Sequence, residues 1–261
     1  MIWLIRHTKR LLTKQDKWVN SKRYKENNVD MPITNDGKEY VKQSVIEMIR
    51  TDKNFDKIEY IYCSPMTRCI QTAMVLQDSI KKLTKKWIPL KIEYGLKELH
   101  VINYSKHKKY KNGKVILQPT FKNEIALDKK LHIKCAIKKY GKYPNGRIDP
   151  TYKSIHTFSK ATHKEISHVS GGNKTIKTVK NLLKKDKSNN FIICSHAMAI
   201  IFMYTAFTKK IMPEKYSDKI TGKNWASMLA FKRNKSIHTK NQYKLSYGPT
   251  SEYWQKNKIT K

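Results

Sequence analysis

Long apolar runs, paired cysteines and arginine are all scarce in this chain, and each scarcity narrows what the protein can be. The longest apolar candidate, Ala197 to Phe207, falls far short of the ~18 residues that a membrane span needs. The opening apolar residues follow no basic leader and are too few for a signal peptide. Four cysteines, Cys63, Cys69, Cys135 and Cys194, show no paired spacing, so free thiols in a reducing compartment are expected, with the cytosol as the default. No internal repeat or domain linker interrupts the 261 residues, and 39% hydrophobic content can fill a core. One domain spanning 1–261 is therefore expected.

Acid is scarce as well: 20 Asp and Glu face 55 Lys and Arg, a formal charge of +35. That balance alone admits a nucleic-acid binder. Yet the lysines are spread along the whole chain, and no zinc-finger, helix-turn-helix or aromatic-basic signature accompanies them. Solvated lysines are the plainer reading, and the joint abundance of Lys, Asn and Ile is what an A/T-rich coding sequence would give. The surface still favours phosphorylated substrates electrostatically. Arginine is the sharper signal. Only Arg6, Arg10, Arg23, Arg50, Arg68, Arg147 and Arg233 stand among those 55 basic residues. A chain so biased to lysine keeps arginine where lysine will not serve, and the planar guanidinium fork binds phosphate through two parallel hydrogen bonds.

Met1 to Ile5 reads as a short strand buried on both faces, stopping at Arg6-His7. Lys14 to Asn28 is polar and aperiodic, hence a loop. Thr34 is a plausible N-cap for a helix carrying Val41, Val45 and Ile49 on one stripe and ending near Asp52. Ile58 to Cys63 is the next strand. It runs into a helix start with Ser64 as N-cap, Pro65 at the first helical position, and Ile70, Met74 and Leu83 on the helix. Ile88 to Tyr94 offers a third strand, leading to Gly95-Leu96-Lys97-Glu98. About 100–162 is lysine-rich, broken by Gly and Pro, and helical in pattern only around Ile125 to Ile137; it reads as an insertion covering the active edge. An amphipathic helix over Thr175 to Lys185 precedes a fully apolar strand, Phe191 to Cys194, that ends at Ser195-His196. An apolar helix from Ala197 to about Phe207 and a strand pair, Trp225 to Lys232 with Tyr243 to Tyr247, close the chain.

Strand–helix alternation delivers Arg6, His7, Arg68, Glu98 and His196 to one sheet edge, just beyond the carboxyl ends of the strands where ligands sit in open α/β sheets. A neutral imidazole is a nucleophile near pH 7. Two arginines and a second histidine would stabilise a phosphoryl group in transfer, and a carboxylic acid would protonate the leaving oxygen. Each residue also has a bland reading, as a satisfied histidine or a solvated surface group. Cys63 and Arg68 invite comparison with cysteine-dependent tyrosine phosphatases, but four rather than five residues separate them and no glycine intervenes. The spacing of His100, His107, His156, His163 and His168 matches no metal site.

Three blocks, Leu4-Ile5-Arg6-His7-Thr8, Ser64-Pro65-Met66-Thr67-Arg68-Cys69-Ile70-Gln71-Thr72-Ala73 and Ile193-Cys194-Ser195-His196-Ala197, resemble the histidine phosphatase (phosphoglycerate mutase-like) superfamily. Arg10, Pro32 to Gly37, Ala197 and Gly248 to Thr250 look most like two relatives. One is the phosphatase domain of ubiquitin-associated and SH3-containing suppressors of T-cell receptor signalling; the other is the steroid-phosphate phosphatases. The resemblance implies an α/β three-layer sandwich, with a mostly parallel central sheet flanked by helices. It implies a metal-independent, cofactor-free phosphomonoesterase acting on phosphotyrosine or a small phosphate ester through a phosphohistidine. His7 would be the nucleophile, Glu98 the proton donor, and Arg6, Arg10, Arg68 and His196 the phosphate pocket. Thr8 stands where the family has glycine, and Lys9 where it has an acidic residue, so a different pocket mouth is expected. A phosphoglycerate mutase-type phosphotransferase and a catalytically silent binding protein using the basic surface for nucleic acid stay open as alternatives. Only the resemblance suggests a homodimer.

Overall fold

In a computed structural model, alternate residues of the first strand serve opposite cores. The structure describes residues 1–11, 30–98, 108–111, 114–117, 133–142, 145–156, 168–186, 188, 190–221, 225–233 and 243–249. Strand β1 (Ile2–Arg6) is buried along its whole length. Its Trp3 and Ile5 join one cluster with Val41, Val45, Met48, Ala73 and Leu76. Its Ile2 and Leu4 join another with Val179, Leu182, Ile200, Met203 and Phe207. The side-chain period of two thus makes one strand the wall between two cores, as a continuous apolar run requires.

Helices α1 (Asn35–Thr51) and α2 (Thr67–Thr84) cover the first face. Helices α4 (His168–Lys185) and α5 (Ala197–Thr208) cover the second. Between the two layers lie β2 (Tyr60–Cys63), β3 (Leu90–Ile92), β6 (Phe191–Ser195), β7 (Met228–Arg233) and β8 (Tyr243–Tyr247), with β1, in the order β3-β2-β6-β1-β7-β8. The first four strands in that order are parallel; β7 runs antiparallel to β1 and β8 antiparallel to β7. This is the expected three-layer α/β sandwich. A separate hairpin, β4 (Lys108–Lys111) with β5 (Lys114–Leu117), a short helix α3 (Ile133–Tyr140) and a helix α6 (Glu214–Ile220) complete the described elements.

Thr34 caps α1 as expected, its hydroxyl accepting from the Gly37 N–H at 3.1 Å. Two expectations are overturned. Helix α2 begins at Thr67, not Pro65, and Ser64 does not cap it: its hydroxyl is drawn to His196. The capping acceptor comes from far along the chain, the Asp30 carboxylate taking the Thr67 N–H at 2.7 Å and hydroxyl at 2.6 Å. Leu83, on the same helix, is 49% exposed. At 100° per residue it lies about 140° around the helix from Ile70, and the buried stripe is Cys69, Ile70, Ala73, Leu76 and Ile80. The third strand is shorter than expected, Leu90–Ile92.

The Lys14 to Asn28 loop lies outside the described residues, as does much of 100–162. Within that stretch, Ile148 is fully buried and bridges Leu90, extending the sheet past β3. Among the described residues no helix is long and apolar enough to cross a membrane.

Candidate active site

Parallel pairing places the two histidines. Arg6 is in register with Ser195, so His7 and His196 both emerge one residue beyond the ends of neighbouring strands β1 and β6. Their rings meet edge-on with centroids 5.2 Å apart. The His7 N–H is fixed by the Ser195 carbonyl at 2.8 Å, and its ring Nδ1 lies 2.9 Å from the Thr8 carbonyl. A carbonyl can only accept, so Nδ1 carries the proton and Nε2 the lone pair. His7 is buried, and burial first, then Arg68 and His196, hold its pKa well below the ordinary histidine value. The ring is neutral at pH 7.

His196 is charged more readily. Its Nδ1 sits 2.9 Å from Glu98 Oε2 and its Nε2 2.9 Å from Ser64 Oγ, with Cys69 Sγ at 3.4 Å. Burial lowers its pKa, but the Cys69 and Glu98 contacts outweigh burial and raise it. The Cys69 thiol is itself held protonated by burial, so the carboxylate is the partner that matters. Glu98 responds in the opposite sense: burial favours its acid form, yet His196 and Arg68 pull its pKa well below the usual carboxylate range. Its other partner is Arg68 Nη2. Arg68 is fully buried in the first turn of α2, with Nη1 3.8 Å from Asp30.

The turn carrying Glu98 is built by a second carboxylate. Glu93 is fully buried and accepts from the Gly95 N–H at 2.9 Å, the Tyr152 hydroxyl at 2.6 Å and the Ile155 N–H at 2.8 Å. Ser195 Oγ donates to the Leu96 carbonyl at 2.8 Å, tying this turn to the strand that bears His196. Gly95 permits the approach: a Cβ there would stand 2.0 Å from Thr178 Oγ1 and 2.8 Å from His156 Cδ2. Gly95→Ala is therefore expected to cost about 1–3 kcal/mol, read as a lowered urea midpoint, by forcing α4 away from the turn.

Gln71 and Thr72 of the second motif secure the first. Thr72 Oγ1 accepts the Thr8 N–H at 3.1 Å and donates to the Arg68 carbonyl at 2.7 Å; Gln71 Oε1 accepts the Ile33 N–H at 2.9 Å. Thr8, expected to alter the pocket mouth, instead points inward, fully buried, its hydroxyl donating to the Gly37 carbonyl at 2.7 Å. Lys9 is partly exposed and paired with Asp36 at 2.5 Å.

Residues 2–115 match the family described as the histidine phosphatase superfamily, branch 1. That segment, somewhat under half of the chain, is similar to the histidine phosphatase superfamily. No curated protein matches it in sequence. Among solved structures it is similar to the ecdysone phosphate phosphatase of Bombyx mori in complex with tungstate, at TM-score 0.56 and 17% identity, covering 95% of this chain and 92% of that one. A phosphoserine phosphatase from Entamoeba histolytica, in complex with 3-phosphoglyceric acid, matches at TM-score 0.49 and 15% identity over 95% and 96% of the chains. At these identities the first likeness establishes the shared fold.

Two further arginines, Arg6 and Arg10, crowd the same edge. Arg6 stacks its guanidinium 4.5 Å over the Trp225 ring and donates from Nη1 to the Ile220 carbonyl at 2.9 Å. Burial, with Arg10 and Arg68 nearby, lowers its pKa to about 10 against the attraction of Glu98. Arg10 is lowered by burial first and by Arg68 second. Asp30, Ser64, Cys69 and Trp225 are site residues that the motifs did not single out. His7, Glu98 and His196 also bring ligand atoms within 4.8 Å of one another, a spacing that could admit a metal ion. The Arg68 guanidinium on the same Glu98 oxygen, with Arg6 and Arg10 beside it, makes the locale suited to an anion instead.

Proposed function

We propose that this chain hydrolyses phosphomonoesters through a phosphohistidine on His7. One observation carries the reading: a neutral imidazole with its Nε2 lone pair available stands among Arg6, Arg10, Arg68 and His196, whose charge exceeds what Glu98 offsets. His7 Nε2 attacks phosphorus and the bond to the ester oxygen breaks. The leaving oxygen takes a proton from the Glu98–His196 pair. In the second half the Glu98 carboxylate accepts a proton from water, whose oxygen attacks phosphorus as the P–N bond breaks, releasing phosphate and His7.

Glu98 is anionic at rest, which a proton donor is not. The resolution lies in shared donors. Arg68 Nη2 and His196 Nδ1 both hold Glu98 Oε2, and both are the groups a phosphate would need. A phosphate dianion draws them away and presses its own charge on the carboxylate, which raises the Glu98 pKa toward donation. Glu98→Gln is accordingly expected to bind inorganic phosphate more tightly than wild type while its turnover falls about 10²–10⁴-fold. Weaker phosphate binding by the variant, measured by calorimetry, would contradict the competition.

The pH profile carries a sign. Turnover needs His7 neutral, so the acid limb of kcat/KM lies well below 6.5. It is helped by His196 protonated, so the alkaline limb lies above 6.5. An acid limb above that value would contradict the neutral nucleophile. The overall test is hydrolysis of para-nitrophenyl phosphate in EDTA. Activity that survives the chelator and disappears in His7→Ala supports a metal-independent phosphatase. Transfer without net phosphate release would favour a mutase, and salt-sensitive nucleic-acid binding with no turnover a silent binding protein.

A further inference from the structure

A cavity of about 390 Å³ opens on the flank of the sheet, away from the catalytic edge, among Tyr60 and Tyr62 of β2, Lys91 of β3, Tyr152 and Lys185. Tyr60 lies three residues before the end of β2, about 10 Å down the strand from the edge where the histidines emerge. The pivotal group is Lys91. Its ammonium lies 3.2 Å from the centroid of the Tyr60 ring, 5.6 Å from that of Tyr62 and 5.7 Å from that of Tyr152. It is half-buried, and among the described residues no carboxylate approaches it within ion-pair distance. Burial also draws its pKa below the ordinary lysine value, against the pull of Asp149 and Asp186.

Asp149 and Asp186 also line the cavity, against Lys91, Lys153 and Lys185, but both carboxylates are engaged by other donors. Asp149 Oδ1 accepts from the Thr151 N–H at 2.9 Å and hydroxyl at 2.7 Å. Asp186 Oδ1 accepts from the Ser188 N–H at 3.1 Å and hydroxyl at 2.8 Å, and its Oδ2 faces the Tyr62 hydroxyl at 3.5 Å. Lys153 and Lys185 add two exposed cations at the rim, Lys185 5.6 Å from the Tyr152 ring centroid. A partly desolvated ammonium with no carboxylate in ion-pair contact among the described residues, rimmed by cations and walled by aromatic faces, selects for negative charge attached to a flat ring. An external cation is disfavoured, because Lys91, Lys153 and Lys185 would repel it.

We propose that this cavity is a second binding site, taking a small aromatic anion whose acidic group pairs with Lys91 and whose ring lies against the tyrosines. The site does not depend on the phosphatase reading. The probe is 2-naphthalenesulfonate, which has no ester to hydrolyse, titrated calorimetrically into the full chain alongside inorganic sulfate. Saturable one-to-one binding is expected, at least about tenfold weaker in Lys91→Met and at least about tenfold weaker for sulfate. Acetic anhydride footprinting of the wild type locates the ligand independently of any variant. Protection of Lys91, with Lys153 and Lys185 at the rim, is expected. Protection at Lys9 or Lys97 instead would place the anion at the catalytic edge and overturn the proposal, as would no binding, unchanged affinity in Lys91→Met, or sulfate binding equally well.

Discussion

His7→Ala is expected to reduce kcat for a phosphomonoester by on the order of 10⁴-fold or more, with the fold retained. The magnitude follows from covalent catalysis. Removing a nucleophile leaves only the pocket's electrostatic stabilisation, and water would have to attack from a site shaped for an imidazole. The ring bonds the Thr8 carbonyl, while the strand end is held by the His7 backbone N–H on Ser195, which alanine keeps. Burial and Arg68 disfavour a charged His7, so its loss removes no stabilising ion pair. Stopped and steady-state assays of the variant beside wild type, with melting curves of both, check the expectation. A variant that melts normally and retains more than a few per cent of activity would remove His7 from the chemistry.

Arg68→Lys has the second largest expected effect, a fall in kcat/KM of about 10²–10³-fold at near-normal stability. Lysine keeps the positive charge beside the partly buried Glu98 and the buried Asp30, so neither carboxylate is left uncompensated. What it loses is the fork. Arg68 reaches Glu98 from Nη2 and approaches Asp30 from Nη1, and a phosphoryl group in transfer needs two donors at fixed separation from the same side chain. The chain's composition makes this substitution pointed, since seven of 55 basic residues are arginine and three of those seven, Arg6, Arg10 and Arg68, share this one site. Kinetics showing a loss below about threefold would mean that a point charge suffices, against the bidentate geometry.

What could be read from sequence was what lies contiguous in the chain. Arg6-His7 and Ser195-His196 each follow an apolar strand directly, so the parallel register that unites them is a consequence of the strands themselves. Arg68 follows from a strand running straight into a helix. Glu98 was also found, but its resting charge was not. An isolated carboxylate reads as an acid, and only the meeting of Arg68 and His196 on one oxygen keeps it ionised. Asp30 left no trace because its acceptor role depends on a chain crossing 37 residues away. The same crossing explains Ser64: once Asp30 supplies the cap, that hydroxyl is available to His196. Trp225 read as the start of a strand; it lies before β7, half-buried against Arg6, where no periodicity could have placed it.

The proposed reaction turns on a covalent bond between phosphorus and His7 Nε2. The direct measurement is rapid mixing of enzyme with a phosphomonoester, a denaturing alkaline quench that spares phosphohistidine, and peptide mass spectrometry. The mass of one phosphoryl group is expected on the peptide containing His7 and none on that containing His196, the adduct disappearing in His7→Ala. An active wild type that carries no phosphoryl group at the shortest mixing times, or carries it on another residue, would contradict it.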